Sequence, residues 1–178
     1  AIDLYERALD KAEAAELQHE LEERLCDLLE LTGEYERAVE LTERLADRAP
    51  EAPGLRRRLG HLHLQQGDFT RARERLNEAL TLLAGETDPD LERALTLSDL
   101  AEVAYLQGDH REARSLVERM QAAVDTDTPV PSIKARNTLG KVQLERGQFE
   151  AAATLFRQNL EVSRAANVIP EEIRALIN

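Results

Sequence analysis

The chain has 178 residues, a formal net charge of −12 and 42% hydrophobic residues, of which few are aromatic. This length suits one ordinary domain with enough apolar material for a core. Leu, Ala, Glu and Arg dominate and Trp is absent, a composition that is typical of long helices and argues against sheets. No apolar run approaches the roughly 18 residues of a membrane span, so we expect no membrane partner. A single Cys excludes an intrachain disulfide framework, which suits a reducing, cytoplasmic setting.

The negative charge is concentrated near the start of the chain. Residues 1–50 hold 15 acidic and 6 basic side chains, residues 51–88 hold 6 of each, and residues 89–178 hold 14 and 11. An acidic surface repels phosphate backbones, so we expect no nucleic-acid partner. Basic peptide or protein surfaces are expected instead, although the solvated faces of ordinary amphipathic helices would produce the same charge pattern.

The first part of the chain predicts helices that end at glycines. The helical pattern begins at residue 1, and this first helix corresponds to the second helix of a repeat whose first helix is missing. Its apolar positions are Ala1, Leu4, Tyr5, Ala8 and Leu9. The next helix covers residues 16–32 and ends at Gly33, because glycine adopts the left-handed conformation at little cost. Its apolar face consists of Leu17, Leu21, Leu25, Leu28 and Leu29. A partner helix runs from residue 34 to about Arg48.

Proline-containing junctions mark the later helix starts. After the first junction, a helix pair is predicted that stops at Gly67 and Gly85. Residues 87–90 (Thr-Asp-Pro-Asp) combine an N-cap, a proline for the first turn and acids, so they predict the start of a longer helix. That helix reaches Gln107, and residues 110–124 form its partner.

The last part of the chain continues the same alternation. The break at residues 126–131 contains two prolines, which fit only a loop and a first turn. Helices are then predicted at 132–146 and 149–166. Residues 167–170 form a further break before a helix that starts at Glu171.

One set of residue types recurs around four glycines. Counted from each glycine, a leucine stands eight positions before, a small residue seven before, an aromatic residue or histidine two after, and an alanine five after. The four copies are Leu25/Cys26/Gly33/Tyr35/Ala38, Leu59/Gly60/Gly67/Phe69/Ala72, Leu100/Ala101/Gly108/His110/Ala113 and Leu139/Gly140/Gly147/Phe149/Ala152. The glycines are 34, 41 and 39 residues apart, and a period in this range predicts stacked helix hairpins.

This pattern resembles the tetratricopeptide repeat (TPR) family over essentially the whole chain. The resemblance implies an all-α fold, a right-handed α-solenoid of antiparallel hairpins with about ten helices and a partial repeat at each end. The expected segments are a truncated repeat at 1–15, full repeats at 16–50, 51–86, 87–127 and 128–167, and the start of a further repeat at 168–178.

The sequence departs from the family's pattern at two positions. The tyrosine usually found four before the glycine is replaced, and only Pro50 matches the proline that ends a repeat. The replacing residues are Leu29, His63, Ala104 and Gln143. The longer repeats, with first helices such as residues 135–140, resemble those of large bacterial multidomain regulators that carry kinase, nucleotide-cyclase or AAA-type ATPase modules. This likeness implies a signalling role in a bacterial cytoplasm.

Most residues of the template are expected to pack and not to bind. The resemblance implies that the alanine after each glycine and the small residue before it let the two helices of a hairpin approach closely. The aromatic side chains expected in the packing are Tyr35, Phe69, Phe149 and Phe156. Cys26 replaces a packing glycine or alanine, so we expect a buried thiol.

In this family the first helix of each hairpin lines the concave face of the solenoid. Counting back from each glycine therefore gives groove candidates, which change from acidic in the first full repeat to basic in the fourth. The predicted peptide-binding residues are Arg57, His61, Ser98, Glu102, Tyr105, Lys134, Asn137 and Lys141. We expect Asn137 to hydrogen-bond a peptide backbone and the two lysines, two helical turns apart, to receive carboxylates. An ordinary solvated helix face is the alternative.

Catalytic motifs are missing from the sequence. It contains no glycine-rich phosphate loop, His-Glu-x-x-His, Cys-x-x-Cys or nucleophile elbow. His61 and His63 are two residues apart on a helix and point to different faces, so they do not form a metal pair. We therefore predict no catalysis, no cofactor and no metal.

The predicted function is a protein interaction scaffold, part of a larger regulatory protein, that binds a peptide or protein segment on its concave face. The alternative is a structural segment of a signalling kinase or ATPase. Such a segment would associate with itself through helix faces that no cap covers, or would dock onto other domains of its own chain.

Overall fold

The computed structural model describes residues 1–12, 14–85, 90–123 and 129–166, and within these ranges every regular element is an α-helix. The helices are α1 (Ile2–Leu9), α2 (Ala15–Thr32), α3 (Tyr35–Arg48), α4 (Pro53–Gln65), α5 (Phe69–Leu83), α6 (Asp90–Leu106), α7 (His110–Ala123), α8 (Pro129–Glu145) and α9 (Phe149–Ala165). From α2 onward they form four consecutive hairpins, and the predicted α-solenoid class is confirmed.

A glycine in the left-handed conformation separates the two helices of each hairpin. Gly33, Gly67, Gly108 and Gly147 have φ angles of 77°, 78°, 81° and 72°. After the first of them, the backbone N–H of Glu34 donates to the carbonyl oxygen of Leu29 at 2.9 Å, and the same bond follows the other three. Because a residue with a Cβ is strained at these angles, glycine at this template position sets where each hairpin turns.

The chain divides into two compact units, Ala1–Ala79 and Leu80–Asn178. In the first unit, α2 and α3 enclose an apolar core to which α4 adds one leucine. The buried residues of this core are Leu25, Cys26, Leu29, Ala38, Leu41, Leu45 and Leu62. Helix α1 packs against it through Ile2, Tyr5 and Leu9, so the first predicted helix belongs to the same core.

The second unit contains the end of α5 and helices α6 to α9. Helix α8 packs against both α6 and α7, and α9 packs against α8. Buried side chains of these four helices include Leu100, Ala101, Val117, Met120, Ile133, Val142 and Phe156. Helices α6 and α8 have 17 residues each, against 13 in α4, which confirms that the first helix of the third repeat is longer than its counterpart upstream.

The small residue seven positions before each hinge glycine lies where the two helices of a hairpin touch. A Cβ added to Gly60 would come within 2.5 Å of Leu76 Cγ, and one added to Gly140 would come within 2.5 Å of the Phe156 ring. Cys26 and Ala101 occupy the same position in the other hairpins and are fully buried. The close approach implied by the family resemblance is therefore present.

The start of α8 differs from the prediction. The helix begins at Pro129, three residues before the predicted start, and contains Pro131 in its first turn. Both prolines fit there because the first N–H groups of a helix have no partner within it, so a missing donor costs nothing. The predicted N-cap at 87–89, part of the break at 126–131 and the predicted elements after residue 166 lie outside the described residues.

Some apolar side chains that the sequence assigns to packing faces are exposed. Phe149, the first residue of α9, is 67% exposed, so its assignment to the core is wrong. The residues at the same template position in the other hairpins, Tyr35, Phe69 and His110, are half-buried, and Tyr35 packs against the core of the first unit. Leu4 and Leu17 are also exposed, because α1 and α2 bury narrower faces than the leucine spacing predicts.

Replacing Gly60 by alanine is expected to destabilise the protein by about 1–3 kcal/mol, because the new Cβ overpacks the contact with Leu76. Leu76→Ala removes the clashing atoms, so the double variant should lose less stability than the two single variants together. Urea unfolding of the three variants and the parent measures this coupling. Losses that simply add would contradict the close contact.

Phe156→Ala and Phe149→Ala are expected to differ strongly although both truncate a phenylalanine of α9. Phe156 is 6% exposed and should cost about 3–5 kcal/mol, because a cavity forms beside Gly140. The exposed Phe149 should cost less than about 1 kcal/mol. Urea unfolding measures both, and equal losses would show that the two side chains have been placed incorrectly.

Candidate functional site

The predicted groove residues fall into two groups, which the two units hold separately. Arg57 and His61 lie on α4 in the first unit. The second unit holds Ser98, Glu102 and Tyr105 on α6, and Lys134, Asn137 and Lys141 on α8. That these residues bind a peptide stays a prediction, and the structure gives the surroundings of each side chain.

A cleft of about 490 Å³ lies between α2 and α4 in the first unit. Its α2 wall consists of His19, Glu23, Asp27 and Glu30, and its α4 wall of Gly54, Leu55, Arg57, Arg58 and His61. Ala49 and Ala52, in the connection before α4, complete the lining. Ala49, Ala52 and Gly54 fill little of the cleft, so its volume leaves room for a side chain of a bound segment.

The α2 side of the cleft belongs to a continuous acidic stripe. The acids follow each other at alternating spacings of four and three residues, which places them on one helix face. They are Glu16, Glu20, Glu23, Asp27 and Glu30. The first four are exposed and the last is half-buried. His19 Nε2 lies 3.6 Å from Glu23 Oε1, and both side chains remain exposed. This stripe gives the cleft a negative rim.

Arg58 crosses the cleft and holds the two acids at the end of the stripe. Its Nη2 donates to Asp27 Oδ1 at 2.7 Å, and its Nε donates to Glu30 Oε1 at 2.5 Å. Burial lowers the pKa of Arg58, but the neighbouring Glu30 and Asp27 raise the pKa by more than burial lowers it. The pKa of Arg58 therefore lies above its ordinary value. The guanidinium therefore stays charged and links α4 to α2.

The histidines of α4 point in different directions, as predicted. His61 lines the cleft, and its Nε2 lies 3.5 Å from Gln65 Nε2. His63 is buried, with its Nδ1 3.3 Å from Gln66 Oε1. His61 and Arg57 are therefore the predicted groove residues that a segment in this cleft would meet.

In the second unit, Lys134 forms an ion pair inside the protein. Its Nζ donates to Asp99 Oδ1 at 2.8 Å. The Asp99 side chain is fully buried and that of Lys134 is 15% exposed. Because a buried carboxylate needs a compensating charge, this lysine neutralises Asp99 and ties α8 to α6.

Asn137 is 4% exposed and belongs to a polar network between α8 and α9. Its Oδ1 accepts a hydrogen bond from Asn159 Nδ2 at 3.2 Å, and the same amide donates to the Ile133 carbonyl oxygen at 2.9 Å. Arg136 Nε donates to Asn159 Oδ1 at 2.8 Å, and burial lowers the pKa of Arg136. On α6, the predicted groove residue Ser98 is also buried. The network holds the two helices of the last described hairpin in register.

Tyr105 and Lys141 lie at a more accessible cluster between α6 and α8. The Tyr105 hydroxyl donates to Glu145 Oε1 at 3.2 Å, and its ring centroid is 5.6 Å from that of His110. Lys141 Nζ lies 5.7 Å from the Tyr105 ring centroid and 3.5 Å from Glu102 Oε1. Burial and the nearby Glu145 raise the pKa of Tyr105, so its hydroxyl remains a donor.

These surroundings suit binding through ion pairs and hydrogen bonds. Among the side chains that the structure describes, no group of three His, Cys, Asp or Glu is placed to hold a metal ion. No described helix is both long and apolar enough to cross a bilayer. Cys26 is buried, its Sγ lies 3.6 Å from Thr42 Oγ1, and burial raises its pKa, which favours the protonated thiol.

Sequence reasoning missed Arg58, Asp99 and Glu145, each of which bonds to a residue of a neighbouring first helix. Each lies one residue or one helical turn from a position that was counted back from a hinge glycine, so counting at fixed distances does not find it. The signal for Arg58 was the run of three arginines at 56–58 following an acidic helix. Asp99 had no comparable signal, because its burial depends on the packing of α6.

Lys134→Met is expected to destabilise the protein by about 3–5 kcal/mol, because it leaves the Asp99 carboxylate buried without a compensating charge. Lys141→Met is the matched control, since the Lys141–Glu102 pair is more exposed and should contribute less than about 1 kcal/mol. Urea unfolding at neutral pH compares the two variants. A Lys134 variant as stable as the Lys141 variant would contradict the buried ion pair.

Solved structures of low sequence identity share this fold. The crystal structure of BtubC (BKLC) from P. vanneervenii has 21% identity and a TM-score of 0.69, with 93% of this chain and 72% of that chain covered. The thermophilic TPR protein TTC0263 from Thermus thermophilus has 20% identity and a TM-score of 0.64, with 99% and 89% covered. The crystal structure of MamA has 17% identity and a TM-score of 0.63, with 93% and 88% covered.

Comparison with family sequence models gives the same result from the sequence. A model described as Tetratricopeptide repeat matches residues 51–123, and a second with the same description matches residues 134–158. Together they cover more than half of the chain. No curated protein gives a significant match. The chain belongs to the tetratricopeptide repeat family.

Proposed function

We propose that this chain is a non-catalytic scaffold that binds a basic segment of a partner protein on the first helices of its hairpins. The cleft between α2 and α4 carries this proposal, because it combines about 490 Å³ of space with an exposed acidic rim. Carboxylates on a helix face attract lysine and arginine side chains at long range and form charge-assisted hydrogen bonds at short range. A basic segment therefore fits this surface better than an acidic one.

The predicted residues contribute to this proposal in two ways. Arg57 and His61 line the cleft and contact the bound segment directly. In the second unit, the partly exposed side chains Glu102, Tyr105 and Lys141 offer donors, acceptors and an aromatic surface. The remaining predicted residues are buried or paired, and they hold together the helices that carry these three side chains. They are Ser98, Lys134 and Asn137.

We also propose a regulatory setting in a bacterial cytoplasm. The support is the length of the later repeats, whose hinge glycines stand 41 and 39 residues apart, against 34 for the first two. These are the long repeats whose sequences resemble those of bacterial multidomain regulators. The single, buried Cys suits a reducing compartment.

Self-association or docking within a larger protein is the second candidate function. The exposed Phe149 ring favours it, because an aromatic side chain that is 67% exposed gains from being covered. In that case the chain should form dimers as its concentration rises, and light scattering at several concentrations would detect them.

The scaffold proposal is tested by measuring the binding of short peptides that differ only in net charge. Basic peptides should bind, acidic ones should not, and added salt should weaken binding. Glu20→Lys with Glu23→Lys should weaken binding at least about tenfold, since it reverses the rim charge. Glu40→Lys with Glu43→Lys makes the same charge change on exposed positions of α3 and should leave binding nearly unchanged.

Two results would contradict the scaffold proposal. Equal weakening by both pairs of substitutions would show that net charge alone attracts the peptides. A chain that binds no peptide but dimerises with concentration would favour the second candidate function.

A further inference from the structure

We propose that Asp27 and Glu30 form a subsite for an arginine side chain of the partner, and that Arg58 occupies this subsite in the free protein. The inference rests on the proposed function, because it specifies which part of the α2–α4 cleft recognises the basic segment. Arg58 then acts as an internal competitor that a partner arginine displaces.

The chain itself shows that this pair of carboxylates binds a guanidinium group. Arg58 reaches from α4 and bonds to Asp27 Oδ1 at 2.7 Å and Glu30 Oε1 at 2.5 Å, and all three side chains line the cleft. Asp27 and Glu30 are three residues apart on α2, so both carboxylates face the cleft together. The planar guanidinium, with donors on several sides, suits two separate carboxylates better than an ammonium group does.

The subsite remains reachable from solvent while Arg58 is in place. The Asp27 side chain is 51% exposed, whereas that of Arg58 is 20% exposed. Arg58 is bonded to one oxygen of each acid, and a carboxylate has about four lone-pair positions on its two oxygens. An incoming arginine can therefore contact Asp27 before Arg58 leaves.

Exchange of one guanidinium for another keeps the charge bound at the Asp27–Glu30 subsite constant. Neither acid is left without a cation at the end of the exchange, so both carboxylates keep charge-assisted hydrogen bonds. The released Arg58 is partly exposed already and becomes solvated. Removing Arg58 should therefore free the subsite and strengthen the binding of guanidinium ligands.

The test uses Arg58→Ala in the full chain with N-ethylguanidinium as the probe. Binding is followed by NMR shifts of backbone amides around the cleft and by the thermal unfolding midpoint. We expect Arg58→Ala to bind the probe at least about tenfold more tightly than the parent chain and to gain thermal stability from it. N-ethylammonium should bind more weakly than N-ethylguanidinium.

Arg56→Ala is the matched control. Arg56 is the same residue type on the same helix, lies 3.9 Å from Glu78 Oε2 and does not line the cleft. The Arg56→Ala variant has the same change in net charge as Arg58→Ala and should bind the probe no better than the parent. Asp27→Asn with Glu30→Gln, added to Arg58→Ala, should abolish the gain. A gain in the Arg56 variant, or a gain that survives removal of both acids, would overturn the proposal.

A second variant keeps the test decisive if Arg58→Ala does not fold. Arg58→Gln keeps most of the side-chain length without the charge, and it should gain affinity for the probe in the same direction. If both folded variants bind N-ethylguanidinium no more tightly than the parent, the subsite proposal fails. Binding of basic peptides by the parent is measured separately, so the scaffold proposal can stand when this one fails.

Discussion

The close approach of the two helices within each hairpin is the constraint on which the rest of the structure depends. At Gly60 and Gly140 there is no space for a Cβ, because the side chains of Leu76 and Phe156 fill it. Tight packing of this kind fixes the rotation of each helix about its axis, since a shift would bring a larger residue into the contact. Each first helix consequently keeps a fixed orientation in its hairpin, and in α2 this orientation leaves the first four acids of the stripe exposed.

Ion pairs then connect the first helices of consecutive hairpins within each unit. The pairs are Arg58 with Asp27 and Glu30, Lys134 with Asp99, and Lys141 with Glu102. In every pair the acid belongs to the earlier hairpin and the base to the later one. Such pairs hold neighbouring helices together, and they also determine which charges remain accessible to a partner. Stability and recognition therefore draw on the same side chains, and in the α2–α4 cleft Arg58 belongs to both.

The fold followed closely from the sequence because its signals are local. Glycine at the four hinges and the apolar spacing between them predicted the hairpins to within a few residues, with α8 as the main exception in its start. The site was predicted less completely. Counting from the hinge found Arg57, His61, Lys134 and Lys141 on first helices, but it did not indicate that Lys134 neutralises Asp99, since that contact joins residues 35 positions apart in different hairpins.

The sequence by itself determined the helical class, the turns within the hairpins, which glycine marks, and the excess of acids along the first full repeat. Each of these depends on residues that are neighbours in the chain or lie on one helix face. The tertiary structure decided which polar residues are exposed and which are already paired. It buried Asn137 against Asn159, exposed Phe149, and placed Arg58 between Asp27 and Glu30. The reason is that exposure and pairing depend on how separate helices pack, which no single helix specifies.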